Sequence, residues 1–281
     1  MAIIPVPLQI PPRPGYCSPE WMHFWDNLVL AAVDWGTGGS YDVVNQRGPD
    51  LTLLTSGVKF VDAPPLGTVA HYQNNGATNS RRSTFRLGTE SANPNTRPFS
   101  GLVLGRFITL TNGNYQDFLI ASGTNQQTSV MKVASAGTGY SANDFCVLFR
   151  NNDATFNTIV VKAAASVVAG TWYLVGFSWD GTTGYVYLDG EFVNSIATSS
   201  RQAAQQINLG SDAILADLES VDGNVPLAYY WDNRVLTAED FKQLATDPFG
   251  PVRTPIRLFI QPNQRAYPTK DLIRGGARRR G

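Results

Sequence analysis

Along most of this chain, apolar and polar residues alternate in runs of four to eight, and Gly, Asn, Asp or Pro separates the runs. The clearest case runs from Gly170 to Val193 and reads as three consecutive strands with two tight turns. Tyr185 and Tyr187 alternate with Val186 and Leu188, so each pair takes one face of a strand. Asp189-Gly190 marks a two-residue hairpin, because both central positions of a type I′ turn need positive φ. Asp180-Gly181 and Thr183-Gly184 together predict the preceding turn. Trp172, Leu174 and Phe177 share a face if a bulge at Gly176 shifts the parity of that strand.

The middle of the chain predicts strands over 102–110, 117–121, 129–134, 144–150 and 155–161, with turns at 111–114 and 150–153. Short strands at this spacing imply a β-sandwich or jelly roll. Two further strands are predicted over 206–210 and 225–231, the second closing the core. The sandwich is expected to begin near residues 21–30, with residues 28–32 in its first strand. Leu51, Leu53, Val58 and Phe60 fall in the next ones, before a long polar loop from Tyr72 to Ser80. One helix is signalled. Thr237 can cap it with Asp240 at N3, Ala238, Phe241, Leu244 and Ala245 share a face, and Pro248 stops it.

The two ends differ from this body. Residues 1–20 hold six prolines, which predicts an extended arm. Its apolar residues Ile3, Ile4, Val6 and Leu8 need a groove, on this domain or a neighbour. Residues 251–281 carry eight basic residues and one acid, a charge of +7, which leaves −7 on residues 1–250. The organisation read from the chain is therefore an N-terminal arm over 1–20, a sandwich over 21–250 and a basic C-terminal arm over 251–281. An acidic body with a basic tail suits pairing with copies of itself or with an acidic partner. The tail has few interleaved aromatics, so an acidic protein surface is favoured over nucleic acid. No apolar run reaches the roughly 18 residues of a membrane span. The N-terminus lacks the basic start of a secretory signal, so the chain is expected to be made in a cytoplasm.

Three stretches carry a family resemblance. The Trp172-led strand with the Tyr185-Val186-Tyr187-Leu188-Asp189-Gly190 hairpin, the Gln206-Ile-Asn-Leu-Gly210 strand, and Tyr230, Asn233, Arg234, Leu236, Thr237, Glu239 and Leu244 around the helix resemble the laminin-G-like, concanavalin A-like family. Tyr41-Asp-Val-Val-Asn45 matches its opening segment more loosely. The resemblance covers about residues 26–250. It implies an all-β concanavalin A-like jelly-roll sandwich with one short C-terminal helix, flanked here by extended N- and C-terminal arms, and it implies binding rather than a reaction.

Candidate chemistry is sparse. Hydrolases of this fold place carboxylates as Glu-x-Asp-x-x-Glu on one strand, where alternation aims all three at the substrate. That string does not occur, and no catalytic residue is expected. Two histidines, His23 and His71, give little material for a histidine-rich metal site. Calcium is the one ion the resemblance suggests, through loop carboxylates at Asp180, Asp212, Asp217 or Asp222. Trp35, Tyr72 and Tyr140 neighbour Gly/Asn-rich loops and are the candidate sugar-stacking residues, while Trp172, Trp179 and Trp231 are assigned to the core. Cys17 and Cys146, far apart in an otherwise cysteine-free chain, read as free thiols.

The function expected from these observations is structural. The chain would be a virion protein of a tailed phage, most simply a capsid decoration or surface-attached protein. It would be lattice-bound or oligomeric and held to partners such as the major capsid protein. Its anchors would be Ile3, Ile4, Val6 and Leu8 at one end and Arg253, Arg257, Arg274, Arg278, Arg279 and Arg280 at the other. The alternative is a carbohydrate-binding lectin or adhesin module that recognises a host glycan, as in a tail fibre, with or without calcium.

Overall fold

The computed structural model describes residues 17–34, 40–45, 59–62, 68–72, 83–86, 97–110, 115–122, 127–150, 156–198, 206–210 and 221–253. The described strands are β1 (Leu28–Asp34), β2 (Ser40–Asp42), β3 (Lys59–Asp62), β4 (Thr68–Tyr72), β5 (Ser83–Arg86), β6 (Phe99–Phe107), β7 (Gln116–Ser122) and β8 (Gln127–Lys132). They continue with β9 (Phe145–Arg150), β10 (Phe156–Lys162), β11 (Trp172–Trp179), β12 (Thr183–Leu188), β13 (Glu191–Ala197), β14 (Gln206–Leu209) and β15 (Gly223–Asp232), and α1 (Ala238–Thr246) follows. They form two antiparallel sheets. The larger has the order β13-β12-β11-β6-β15-β1-β2, with β4 also paired to β15 and β3 to β4; the smaller has the order β10-β9-β8-β7-β14-β5.

Alternate residues of the central strands fill the space between the sheets. Val103, Tyr173, Val175, Phe177, Trp179 and Tyr230 of the larger sheet meet Phe118, Val130, Phe145, Val147, Phe149 and Ile207 of the smaller. Phe107 stacks on Phe118 with centroids 4.3 Å apart, and Phe145 stands edge-on to both, at 5.3 and 5.4 Å. The outer face of the larger sheet is apolar too, with Leu102, Leu104, Leu174, Tyr187, Leu227, Tyr229 and Trp231. The two ends of the domain cover it. A 3₁₀ turn over Pro19–Trp25 lays down Trp21 and Phe24, α1 lays down Phe241 and Leu244, and a second 3₁₀ turn over Gly250–Val252 adds Val252. Each fully buried side chain of this kind contributes about 1.5–3 kcal/mol. Directed bonds fix the cover: Trp231 Nε1 donates to Phe24 O at 2.7 Å, Trp25 Nε1 to Pro251 O at 2.8 Å, and Gln243 Nε2 to Glu20 O at 2.9 Å. Cys17 and Val252, outside the 21–250 expected for the sandwich, are buried in this cover. Residues 1–16 and 254–281, which hold most of both expected arms, lie outside the described residues.

The local signals of the hairpin and the helix are realised. Asp189 and Gly190 have φ of 51° and 86°, and Leu188 pairs with Glu191 across them. Thr237 accepts from the Asp240 backbone N–H while the Asp240 side chain accepts from that of Thr237. Other expectations are corrected. Strand β11 has no bulge at Gly176, and its pairing with β6 runs unbroken from Trp172–Arg106 to Trp179–Phe99. Leu174 and Phe177 therefore lie on opposite faces, and both are buried because the sheet is covered on both sides. Gly176 serves a close approach instead, since a Cβ there would sit 2.4 Å from Phe241 Cδ1 of α1. Thr183-Gly184 belongs to β12 rather than to the turn, and Gly184 pairs with Trp179. The strand expected over 102–110 starts at Phe99 and ends at Phe107, where Ile108 N–H turns to Asp222 O at 2.7 Å.

Among the described residues one cation is buried, at a core end. Lys132, 1% exposed, donates from Nζ to Asn143 Oδ1 at 3.0 Å. Burial pulls its pKa down to about 8. Cys17 and Cys146 are both free and buried, Cys146 with its thiol pushed up to about 12 by burial.

Gly176→Ala is expected to cost about 1–3 kcal/mol in urea denaturation, because Phe241 must leave its seat. An unchanged midpoint would show that α1 is not seated on this strand. Lys132 gives a pH dependence. Between about 8 and its ordinary value of 10.5 the unfolded chain holds a proton that the folded chain has released, which raises stability with pH; above 9 the folded Cys146 thiol keeps a proton that the unfolded chain has lost and works the other way, so the rise belongs to the interval below pH 9. Lys132→Met should remove this rise, as read by melting curves between pH 7.5 and 9. A wild-type melting temperature that does not climb would refute the assignment.

Candidate functional site

The register of the larger sheet brings polar and aromatic groups together at one end. Trp172 opens β11 and pairs with Arg106, the penultimate residue of β6, which pairs in turn with Asn224 of β15. A one-residue irregularity lies between Asn224 and Leu227, at Val225-Pro226. Pro226 has no N–H to give a ladder and suits a bulge. The bulge puts Val225 in the inter-sheet core while Asn224 and Leu227 both face outward. On that face the Arg106 guanidinium lies over the Trp172 ring, 4.9 Å from its centroid, and Arg106 Nε donates to Asn224 Oδ1 at 2.8 Å. Asn224 is fully buried, whereas Arg106 and Trp172 are half-buried. Burial holds the guanidinium below its ordinary value. In β4, His71 and Tyr72 are registered opposite Asn224 and Gly223, so the same row continues across a fourth strand.

This places an indole face, a cation and an amide within one row of a rigid sheet. Such a set can stack on the apolar face of a ring and hydrogen-bond its substituents. The set was not singled out from the sequence, where Trp172 was assigned to the core. It is only half-buried, because it begins its strand at the sheet end. Pro226 inside an otherwise central strand was the available signal.

The expected candidates fall in different places. Tyr72 ends β4 beside this row. Asp222 immediately precedes β15 at the same end, and its carboxylate accepts from Thr109 Oγ1. Asp180 is at the opposite end. The nine-residue β6 separates the two carboxylates, roughly 25 Å at the usual strand rise, so they cannot share an ion. Asp180 Oδ1 accepts from Thr182 N, Thr182 Oγ1 and Thr183 N at 2.8–2.9 Å, and Oδ2 accepts from Tyr185 OH at 2.9 Å. Its loop already satisfies that carboxylate. Among the described residues no three His, Cys, Asp or Glu side chains converge as a metal site would require. Tyr140 packs on the smaller sheet's outer face against Met131, Val133, Cys146 and Leu148. Arg253 pairs with Asp247 of its own domain, Nη1 to Oδ2 at 2.7 Å. Trp35, Asp212, Asp217, Ile3, Ile4, Val6, Leu8, Arg257, Arg274, Arg278, Arg279 and Arg280 lie outside the described residues.

The sequence model of the concanavalin A-like lectin/glucanases superfamily matches residues 106–241. No curated protein matches the chain in sequence. Among solved structures, the botulinum neurotoxin serotype D binding domain aligns with a TM-score of 0.56 at 10% identity, covering 80% of this chain and 51% of that one. The binding domain of Paraclostridial mosquitocidal protein 1 aligns at 0.54 and 15% identity, covering 80% and 53%. A botulinum neurotoxin type C structure, described by cell entry that depends on interaction with two ganglioside molecules, aligns at 0.57 and 12% identity, covering 79% and 51%. The chain thus spans about half the length of each of these structures. The fold of this chain is the all-β concanavalin A-like sandwich, with one short helix.

Proposed function

We propose that this chain is a carbohydrate-binding module whose site is the Trp172–Arg106–Asn224 row. The observation that carries the reading is the half-buried Trp172 ring held beside a guanidinium and a buried amide, on strands of a concanavalin A-like sheet. The likeness to toxin binding domains, one described through gangliosides, supports a binding role. In this reading the indole face not covered by Arg106 stacks on a sugar ring, Arg106 reads its polar substituents, and the buried Asn224 holds Arg106 in place. No bond is made or broken.

The virion-decoration reading draws its support from the terminal arms. Those arms lie outside the described residues except near their inner ends, and there Arg253 is bound to Asp247. The two readings are compatible, since a glycan-binding module can be carried on a particle. The binding reading is the one that the described residues support.

A glycan array with the full chain, followed by calorimetry on the best hit, tests it. Trp172→Ala should weaken that hit by about tenfold or more, the usual scale for truncating a central Trp, with the near-ultraviolet dichroism of the core retained. An array without hits, or equal affinity of Trp172→Ala and wild type, would overturn the assignment.

A further inference from the structure

Arg106 is placed unusually for a cation inside a sheet. Its neighbours along the strand face, Leu102 and Leu104, are buried apolar residues, and so is Leu227 of the adjacent strand. Its Nε is committed to Asn224 Oδ1 and its plane lies on Trp172. Arg106 is not a member of the ion pairs His23–Asp240, Arg97–Asp232 and Arg253–Asp247. Asp222, an acid at this end, is hydrogen-bonded to Thr109. A guanidinium drawn out of water without a carboxylate is unfavourable unless something else supplies the charge. Here the amide and the indole hold its orientation but bring no negative charge. With Nε engaged, the Nη1–Nη2 edge is the part of the fork left to meet a ligand, and two parallel N–H donors match an oxyanion.

We propose that the ligand is an acidic saccharide, with a carboxylate or sulfate seated on the Nη edge of Arg106 while its ring rests on Trp172. This rests on the carbohydrate-binding reading and narrows it from sugars in general to charged ones. The planar fork favours a carboxylate, as in a uronic or sialic acid, and a sulfate ester offers the same contact, so both sources enter the test. The sheet explains why the anion would be selected and not merely tolerated. Arg106 cannot swing away to solvent without giving up both its bond to Asn224 and its contact with Trp172. A neutral sugar would leave that fixed charge without a counter-charge in a half-buried setting.

The test is calorimetry on the full chain with matched pairs that differ in one charged group: oligogalacturonate and its methyl ester, sialyllactose and lactose, and a sulfated oligosaccharide and its desulfated form. In at least one pair the acidic member should bind about tenfold or more tighter than its neutral partner at low salt, and the ratio should shrink as salt is raised. The carboxylate pairs against the sulfate pair identify the source of the anion. Arg106→Met, which keeps an apolar stem beside Trp172, should bring the two members of that pair to within about twofold of each other. Arg106→Lys should retain only part of the preference, because an ammonium has no fork. Saccharide binding with equal affinity for acidic and neutral members would overturn the charge assignment alone and leave the carbohydrate reading standing. Absence of any saccharide binding would overturn both. The wild-type ratio and its salt dependence need no variant, so the proposal remains refutable even if Arg106→Met fails to fold.

Discussion

Strands β6, β11 and β15 carry large apolar side chains on both faces, and that doubly apolar sheet governs the rest of the molecule. One face is satisfied by the smaller sheet, as in any sandwich. The other would leave Leu102, Leu104, Leu174, Tyr229 and Trp231 in water. The segments before β1 and after β15 close over it, which is why two sequence-distant 3₁₀ turns and the single described helix meet there. The cover also sets where glycine must occur. Gly176 has no side chain because the ring of Phe241 occupies that space. Gly190 both takes the left-handed turn position and lies where a Cβ would come within 2.7 Å of Ala245. Strand pairing, hairpin turn and helix docking therefore depend on one another, and a change at one is felt at the others.

Features fixed by neighbouring residues could be read in the sequence. The Asp189-Gly190 hairpin and the Thr237–Asp240 capping box are determined within four residues by backbone sterics and side-chain hydrogen bonds. Features fixed by register could not. A glycine inside a strand marks either a bulge or the close approach of another element. At Gly176 only the position of Phe241, far along the chain, decides between them. β6 ends three residues before the apolar pattern does, because Ile108 and Leu110 continue that pattern after the backbone has left the ladder to bond Asp222. The site shows the same division. Trp35, Tyr72 and Tyr140 neighbour Gly/Asn-rich loops in the sequence, yet the proposed row sits on strands. Its members come from three distant segments that meet only when β11, β6 and β15 are paired. The one local trace was Pro226, whose missing N–H breaks the β15 ladder and turns Asn224 outward.

Placement on strands bears on how such a site works. Loop-borne recognition orders flexible backbone on binding and loses affinity to that ordering. Here the amide of Asn224 is fully buried, and Arg106 is held at its Nε and across its plane. Little freedom remains to be lost when a ligand arrives, so selectivity would come from fixed geometry and charge. Lys132 and Arg106 differ in what burial does to their charge. Lys132 lies 1% exposed, hydrogen-bonded to Asn143, and burial has weakened its hold on its proton enough to let it become neutral. Arginine does not have that outlet at accessible pH. A half-buried guanidinium keeps its charge, and its environment must either supply an anion or remain poised to take one. Among the described residues the protein supplies Arg106 with an indole and an amide, and in the proposed reading the counter-charge comes from the ligand.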